Sequence, residues 1–276
     1  MKFLYQRFTW LSFDVVLGAM GGMLFFSKML RVPIDWDIYL LLGMAVWAIY
    51  TFDHLLDSQK YEIREEMDRH GFHRKYTKIL IPSLALVVLS GLVWAYQIFG
   101  IGQELYAGAI LGLTILILML IIRVLPNKLH WLKEFNTAIF YVIGIALLPF
   151  LRFSFVEWTW EVGLLIFGYT GLAYLNLIML SWLDAGKDKA AGFGSLISVL
   201  PLDRVILVIR WLSYGIVGIF LITLFFAASH FRVFASLILL IALVHYLSFF
   251  NQKLNSNQIR RRLDASFLIP WLLLFF

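Results

Sequence analysis

Two pairs of aspartates are the residues of this chain best placed to do chemistry. Asp53-His54-Leu55-Leu56-Asp57 and Asp184-Ala185-Gly186-Lys187-Asp188 share the pattern D-x-x-x-D. Residues four apart lie on one face of a helix, so each pair aims two carboxylates in one direction. Both pairs are read at helix C-termini, where the macrodipole favours cations. The chain has no cysteine and no H-E-x-x-H pattern. Hard carboxylate oxygens alone suit Mg²⁺, which binds through one or two carboxylates and completes its shell with water and substrate phosphates. One such pair at a membrane border also describes a solvated helix end. Two at equivalent positions, each followed by basic residues, point to a site.

The elements that must position these pairs are set by composition. Of 276 residues, 62% are apolar and 14% charged, with a mean hydropathy of +0.85. A soluble domain runs at roughly 45–50% and about 25%, so the solvent here is largely lipid. A water-soluble enzyme, disorder and coiled coil are excluded. A transmembrane β-barrel would alternate over stretches of about ten residues, whereas these apolar runs are continuous. The absence of cysteine removes disulfides, thiolate metal sites and cysteine nucleophiles. The net charge of +6 is read as basic loops facing anionic lipid, with no nucleic-acid partner.

Apolar runs between polar breaks give nine expected spans, at 9–29, 36–56, 79–99, 104–122, 135–151, 159–182, 205–227, 231–250 and 259–276. The first is read as a span and not a leader because Asp14 interrupts its apolar run. The last has an apolar part of only 14 residues, Leu263 to Phe276, which itself includes Asp264 and Ser266, and spans if the turn carrying Arg260, Arg261 and Arg262 sits among headgroups. The aspartate pairs close the second and sixth spans. That spacing suggests an all-α polytopic protein of two pseudo-repeated four-helix halves plus a last helix, a single domain over residues 1–276 with both pairs facing a shared cavity.

Lys and Arg divide 18 to 4 between the two sides of this topology, with Arg210 left inside the seventh span. The positive-inside rule then puts the N-terminus in the cytoplasm, and the expected location is the cell inner membrane. Ionisable groups within a membrane are functional candidates, and Asp14, Asp53, Asp57, Asp184, Arg210 and Asp264 all fall in the cytoplasmic half. Asp14 is expected to pair with Arg210, and Asp264 with Arg260, Arg261 or a neighbouring helix. His70 and His73 read as part of a wet basic loop.

These residues resemble the UbiA superfamily of intramembrane prenyltransferases, which have nine helices, a cytoplasm-facing cavity and Asp-rich motifs after helices two and six. Asp184-Ala-Gly-Lys-Asp188-Lys-Ala-Ala-Gly192-Phe-Gly-Ser195 is similar to the family's D-x-x-x-D-x-x-x-G-x-x-[ST]. Tyr50-Thr-Phe-Asp53-His-Leu-Leu-Asp57 resembles N-D-x-x-D-x-x-x-D, with Ile49-Tyr50 in place of the leading Asn-Asp. Lys133 falls where the family often carries a basic residue, at the start of helix five. The Arg-Pro element after the first motif is missing. The resemblance is therefore to a divergent member.

It implies transfer of a prenyl group from a polyprenyl diphosphate to an aromatic or other lipophilic acceptor. Asp53, Asp57, Asp184 and Asp188 would hold Mg²⁺ against the diphosphate. Arg74, Lys75 and Lys133 would contact its oxygens, and Tyr50 or Phe52 would face the allylic cation. Asn176, on nearly the same helix face as Asp184, and Asn136, just inside the fifth span, are candidates to orient substrate, or to pack between helices. Two other readings stay open: a carboxylate-dependent membrane carrier, and a family member that binds isoprenoid without turnover.

Overall fold

The computed structural model describes residues 2–58, 69–124, 131–191 and 199–275, and these are mostly helical, joined by short turns, without strands. The α-helices are α1 (Lys2–Trp10), α2 (Phe13–Met29), α3 (Trp36–Ser58), α4 (Arg69–Lys75), α5 (Thr77–Phe99), α6 (Gln103–Val124), α7 (Trp131–Leu151), α8 (Trp160–Ala191), α9 (Leu202–Phe226), α10 (Ser229–Phe249) and α11 (Ser256–Ser266). Short 3₁₀ turns cover Phe155–Glu157 and Ile269–Phe275.

Seven of these helices are long and apolar enough to cross a membrane: Trp36–Ser58, Thr77–Phe99, Gln103–Arg123, Leu132–Leu151, Trp160–Gly186, Leu202–Phe226 and Ser229–Phe249. They match the second to eighth expected spans. A 23-residue helix such as α3 is about 35 Å long, enough for a hydrocarbon core of about 30 Å. The chain is thus an all-α, multi-pass membrane protein.

The first and last expected spans take other forms. Ser12 adopts φ 59° and separates α1 from α2, leaving α2 with 17 residues. The C-terminal segment is the polar helix α11 followed by a 3₁₀ turn. Pro270 has no N–H to continue an α-helix, and Arg260, Arg261, Arg262 and Asp264 make the preceding turns polar.

The chain divides into two compact units, Met1–Met20 with Ile34–Met119, and Gly21–Pro33 with Leu120–Phe276. In the first, α3 packs on α4 and α5. Gly43 lets Val16 and Met20 approach, as a Cβ there would lie 3.2 Å from the Val16 side chain. In the second, α8 packs on α7, α9, α10 and α11, and α9 on α10. Its centre is aromatic. Phe25 and Phe26 lie 5.1 and 5.3 Å from the Tyr169 ring, and Phe234 lies 5.2 Å from Phe25.

α2 ends in a Schellman motif. The Val32 N–H donates to the Ser27 carbonyl at 2.9 Å and the Arg31 N–H to the Lys28 carbonyl at 3.3 Å. Arg31 holds the left-handed position, φ 56°, that glycine usually fills.

Close approach of α8 and α9 depends on Gly168, where a Cβ would overlap the ring of the fully buried Phe220. Gly168→Ala should lower stability by about 1–3 kcal/mol through overpacking. Gly108→Ala, which meets nothing within 4 Å, should leave stability unchanged or slightly raised. Unfolding midpoints in mixed detergent check this, and equal midpoints for the two variants would refute the packing.

Candidate functional site

The expected site residues lie at helix ends in both units, and each end is built separately. In the first unit, α3 carries Tyr50, Asp53, His54 and Asp57 on its last two turns, where the Asp57 side chain is buried and Asp53 is half-buried. α4 folds back on α3. It sets the His73 ring 4.9 Å from His54, and Tyr50 lies 6.3 Å from His54 on its other side. Phe72 joins through Trp10 at 5.4 Å and Tyr76 at 4.7 Å.

His73 is therefore not part of a wet loop. It is fully buried, because Arg69–Lys75 forms a helix whose inner face carries Phe72 and His73. Arg74 and Lys75 take the exposed face at the C-terminal turn, where cations complement the macrodipole. Thr77 closes that turn, its Oγ1 donating to the carbonyls of His73 at 2.7 Å and Arg74 at 2.9 Å.

In the second unit, α8 has 32 residues and is about 48 Å long, so its last turns extend beyond a hydrocarbon core. Asp184 sits on those turns and forms an ion pair with Arg260 of α11, Nη2 to Oδ2. The backbone of Asp188 continues α8, while its side chain and residues 192–198, including Gly192 and Ser195, lie outside the described residues. One turn before Asp184, the Ser181 hydroxyl donates to Oε1 of Glu134 at 2.9 Å. Glu134 opens α7, is 4% exposed, and stands next to the half-buried Lys133.

Asn136 is half-buried one turn into α7. Asn176 buries its Oδ1 without a hydrogen-bond partner among the described residues. Aromatic rings gather at the same end, with Trp182 5.2 Å from Phe249, Phe249 5.2 Å from Phe250, and the Arg210 guanidinium 5.3 Å from the Phe250 centroid.

Two of these groups escape a reading of the sequence. Glu134 was hidden by its position beside Lys133 in a basic loop; its signal is an acidic residue in the first turn of an apolar run. Arg260 is expected among headgroups, and its contact with Asp184 spans 76 positions, which no local pattern encodes.

The donor sets differ in their fit to a metal ion. Asp53 and Asp57 offer two carboxylates one turn apart beside the C-terminal carbonyls of α3, an all-oxygen arrangement that suits Mg²⁺. Asp184 is already neutralised by a guanidinium. Among the described residues no three His, Asp or Glu side chains converge as a metal cluster. A cavity of about 220 Å³ lined by Met29, Arg31, Phe153, Val162, His230 and Phe231, among others, lies at the opposite end of α8 from Asp184.

No family model, curated protein sequence or solved structure matches the chain.

The Ser181–Glu134 bond makes a stability prediction. Ser181→Ala takes the donor from a buried carboxylate and should destabilise by about 1–3 kcal/mol. Ser236→Ala removes only an exposed hydroxyl bonded to its own helix at the Arg232 carbonyl and should be neutral. Thermal unfolding of both variants in the same detergent decides; a neutral Ser181→Ala would remove the structural role.

Proposed function

We propose that the chain is a divergent prenyltransferase of the UbiA type, moving a prenyl group from a polyprenyl diphosphate to an aromatic or other lipophilic acceptor. The observation that carries this reading is the end of α3, where Asp53 and Asp57 lie one turn apart on a helix against which α4, carrying Arg74 and Lys75 on its exposed face, is packed. Paired carboxylates and paired cations at the end of an apolar span match the needs of a diphosphate with an apolar tail.

Asp53 and Asp57 would hold Mg²⁺ in this proposal. When bound, the ion neutralises charge on the leaving diphosphate. Arg74, Lys75 and Lys133 add charge-assisted hydrogen bonds to diphosphate oxygens. The allylic C–O bond breaks and its electron pair leaves with diphosphate. The acceptor then forms the new bond to the allylic carbon and loses a proton. Tyr50 and Phe52 present aromatic faces to the developing cation, and Asn176 and Asn136 orient the acceptor.

In this reading the whole chain is one functional domain that crosses the membrane nine times. α2 serves as the first crossing and the C-terminal segment as the ninth, around two four-helix halves. The 18 to 4 division of basic residues supports a cytoplasmic N-terminus in the cell inner membrane, and the apolar tail of the substrate shares the lipid that surrounds the helices.

Purified protein supplied with Mg²⁺, a set of allylic diphosphates and a membrane-extract acceptor pool should release diphosphate. EDTA should abolish release, and Asp53→Ala or Asp57→Ala should each reduce it by at least about 100-fold, as loss of a preorganised electrostatic group does. Variants that match the wild type would overturn catalysis. Isoprenoid binding without release would identify a non-catalytic binder, and EDTA-resistant ion uptake into liposomes a carrier.

A further inference from the structure

Asp184 and Arg260 do something different from ligating a metal. A guanidinium stays protonated at any physiological pH, so it cannot vacate Asp184 by losing its charge. A divalent ion bound to the same carboxylate would stand within a few ångströms of that fixed positive charge, and the repulsion opposes loading. The pair is 29% and 32% exposed on its two side chains, so it is neither sealed in the core nor fully solvated, and a ligand can reach it.

Arg260 is also held in place from both ends of its helix. α11 starts in a capping box, with the Gln258 N–H donating to Asn255 Oδ1 at 2.9 Å and the Asn255 N–H to Gln258 Oε1 at 3.0 Å. Ile259 and Leu263 are buried on either side of Arg260. At the far end, Ser266 Oγ lies 2.9 Å from Nε2 of His245, which is fully buried in α10. The backbone under Arg260 is fixed by α10 and its guanidinium by Asp184 on α8. Arg261 and Arg262 follow directly, and Lys133 stands beside Glu134, which Ser181 binds one turn from Asp184.

We infer that Arg260, positioned by Asp184, binds the diphosphate of the prenyl substrate, and that Asp184 acts as its counter-ion and not as a magnesium ligand. The inference rests on the transfer reading above. A planar guanidinium fork matches two phosphate oxygens at once, and a carboxylate that pre-orients it reduces the ordering lost on binding. The first motif lacks two oxygen donors, with Ile49 and Tyr50 in their places. At the second motif the Asp184 carboxylate is already paired with a protein-borne positive charge, that of Arg260.

Inorganic pyrophosphate is the probe, titrated calorimetrically against the full chain in nanodiscs of zwitterionic lipid with EDTA present. Wild type should bind it without divalent metal. Arg260→Gln should weaken binding by at least about tenfold, with Arg260→Lys intermediate because one ammonium replaces the fork. Arg262→Gln, an exposed cation on the same helix, should stay within about twofold. Asp184→Asn should weaken pyrophosphate binding while leaving the Mg²⁺ concentration needed for diphosphate release unchanged. Binding that appears only with added Mg²⁺, equal losses in Arg260→Gln and Arg262→Gln, or a raised Mg²⁺ requirement in Asp184→Asn would each overturn the assignment. Intact pyrophosphate binding with no release from any allylic diphosphate would instead locate the failure in the transfer reading.

Discussion

In hydrocarbon there is no water to satisfy a polar group, and that constraint orders this structure. Backbone N–H and C=O groups close on themselves within helices, the only open-chain answer available inside a bilayer. Several side-chain hydroxyls follow the same rule. Thr170, Ser213 and Thr223 donate to the carbonyls of Ile166, Ile209 and Ile219, four residues back, at 2.7–2.8 Å. A helix can then carry serine and threonine through an apolar span with its polar atoms satisfied locally.

Polar groups that bond across to another helix mark the places where helices meet. Ser181 reaches Glu134 between α8 and α7, Ser266 meets His245 between α11 and α10, and Arg260 meets Asp184 between α11 and α8. Each contact joins helix ends or the turns next to them, where charge is least expensive to keep. The length of α8 has the same origin. Its apolar stretch fills the span and the residues beyond it are free to be charged, so Asp184 sits at the end of that stretch. In the first unit α4 solves the reverse problem. It turns Phe72 and His73 inward against α3 and leaves Arg74 and Lys75 outside.

The seven apolar helices were legible because continuous runs of about twenty apolar residues permit little else in lipid, and the expected limits fall within a few residues of the observed ones except at the end of α8, which runs nine residues further to Ala191. The two expected spans that took other forms had weaker patterns. One carried Ser12 and Asp14 near its start, and the other opened on three arginines and contained Pro270. The backbone carries Asp53 and Asp57 on the last turns of α3, as the spacing expects, while α8 runs on through Asp188, which was expected in the loop. His73 was misplaced because the loop around it is dense in charge; only the packing of α4 on α3 reveals that one face of that segment is apolar.

Sequence alone therefore determined the solvent, the helical class, seven spanning segments and the candidate carboxylates, all of which follow from composition and from periods shorter than one helix. Tertiary structure decided which charges meet. Asp184 found Arg260, Glu134 found Ser181, and His54 found His73. In each case the partners are separated by many residues, and the pairing depends on which helix faces pack together. Local spacing carries no record of that choice, because it is made by the burial of the apolar side chains between them.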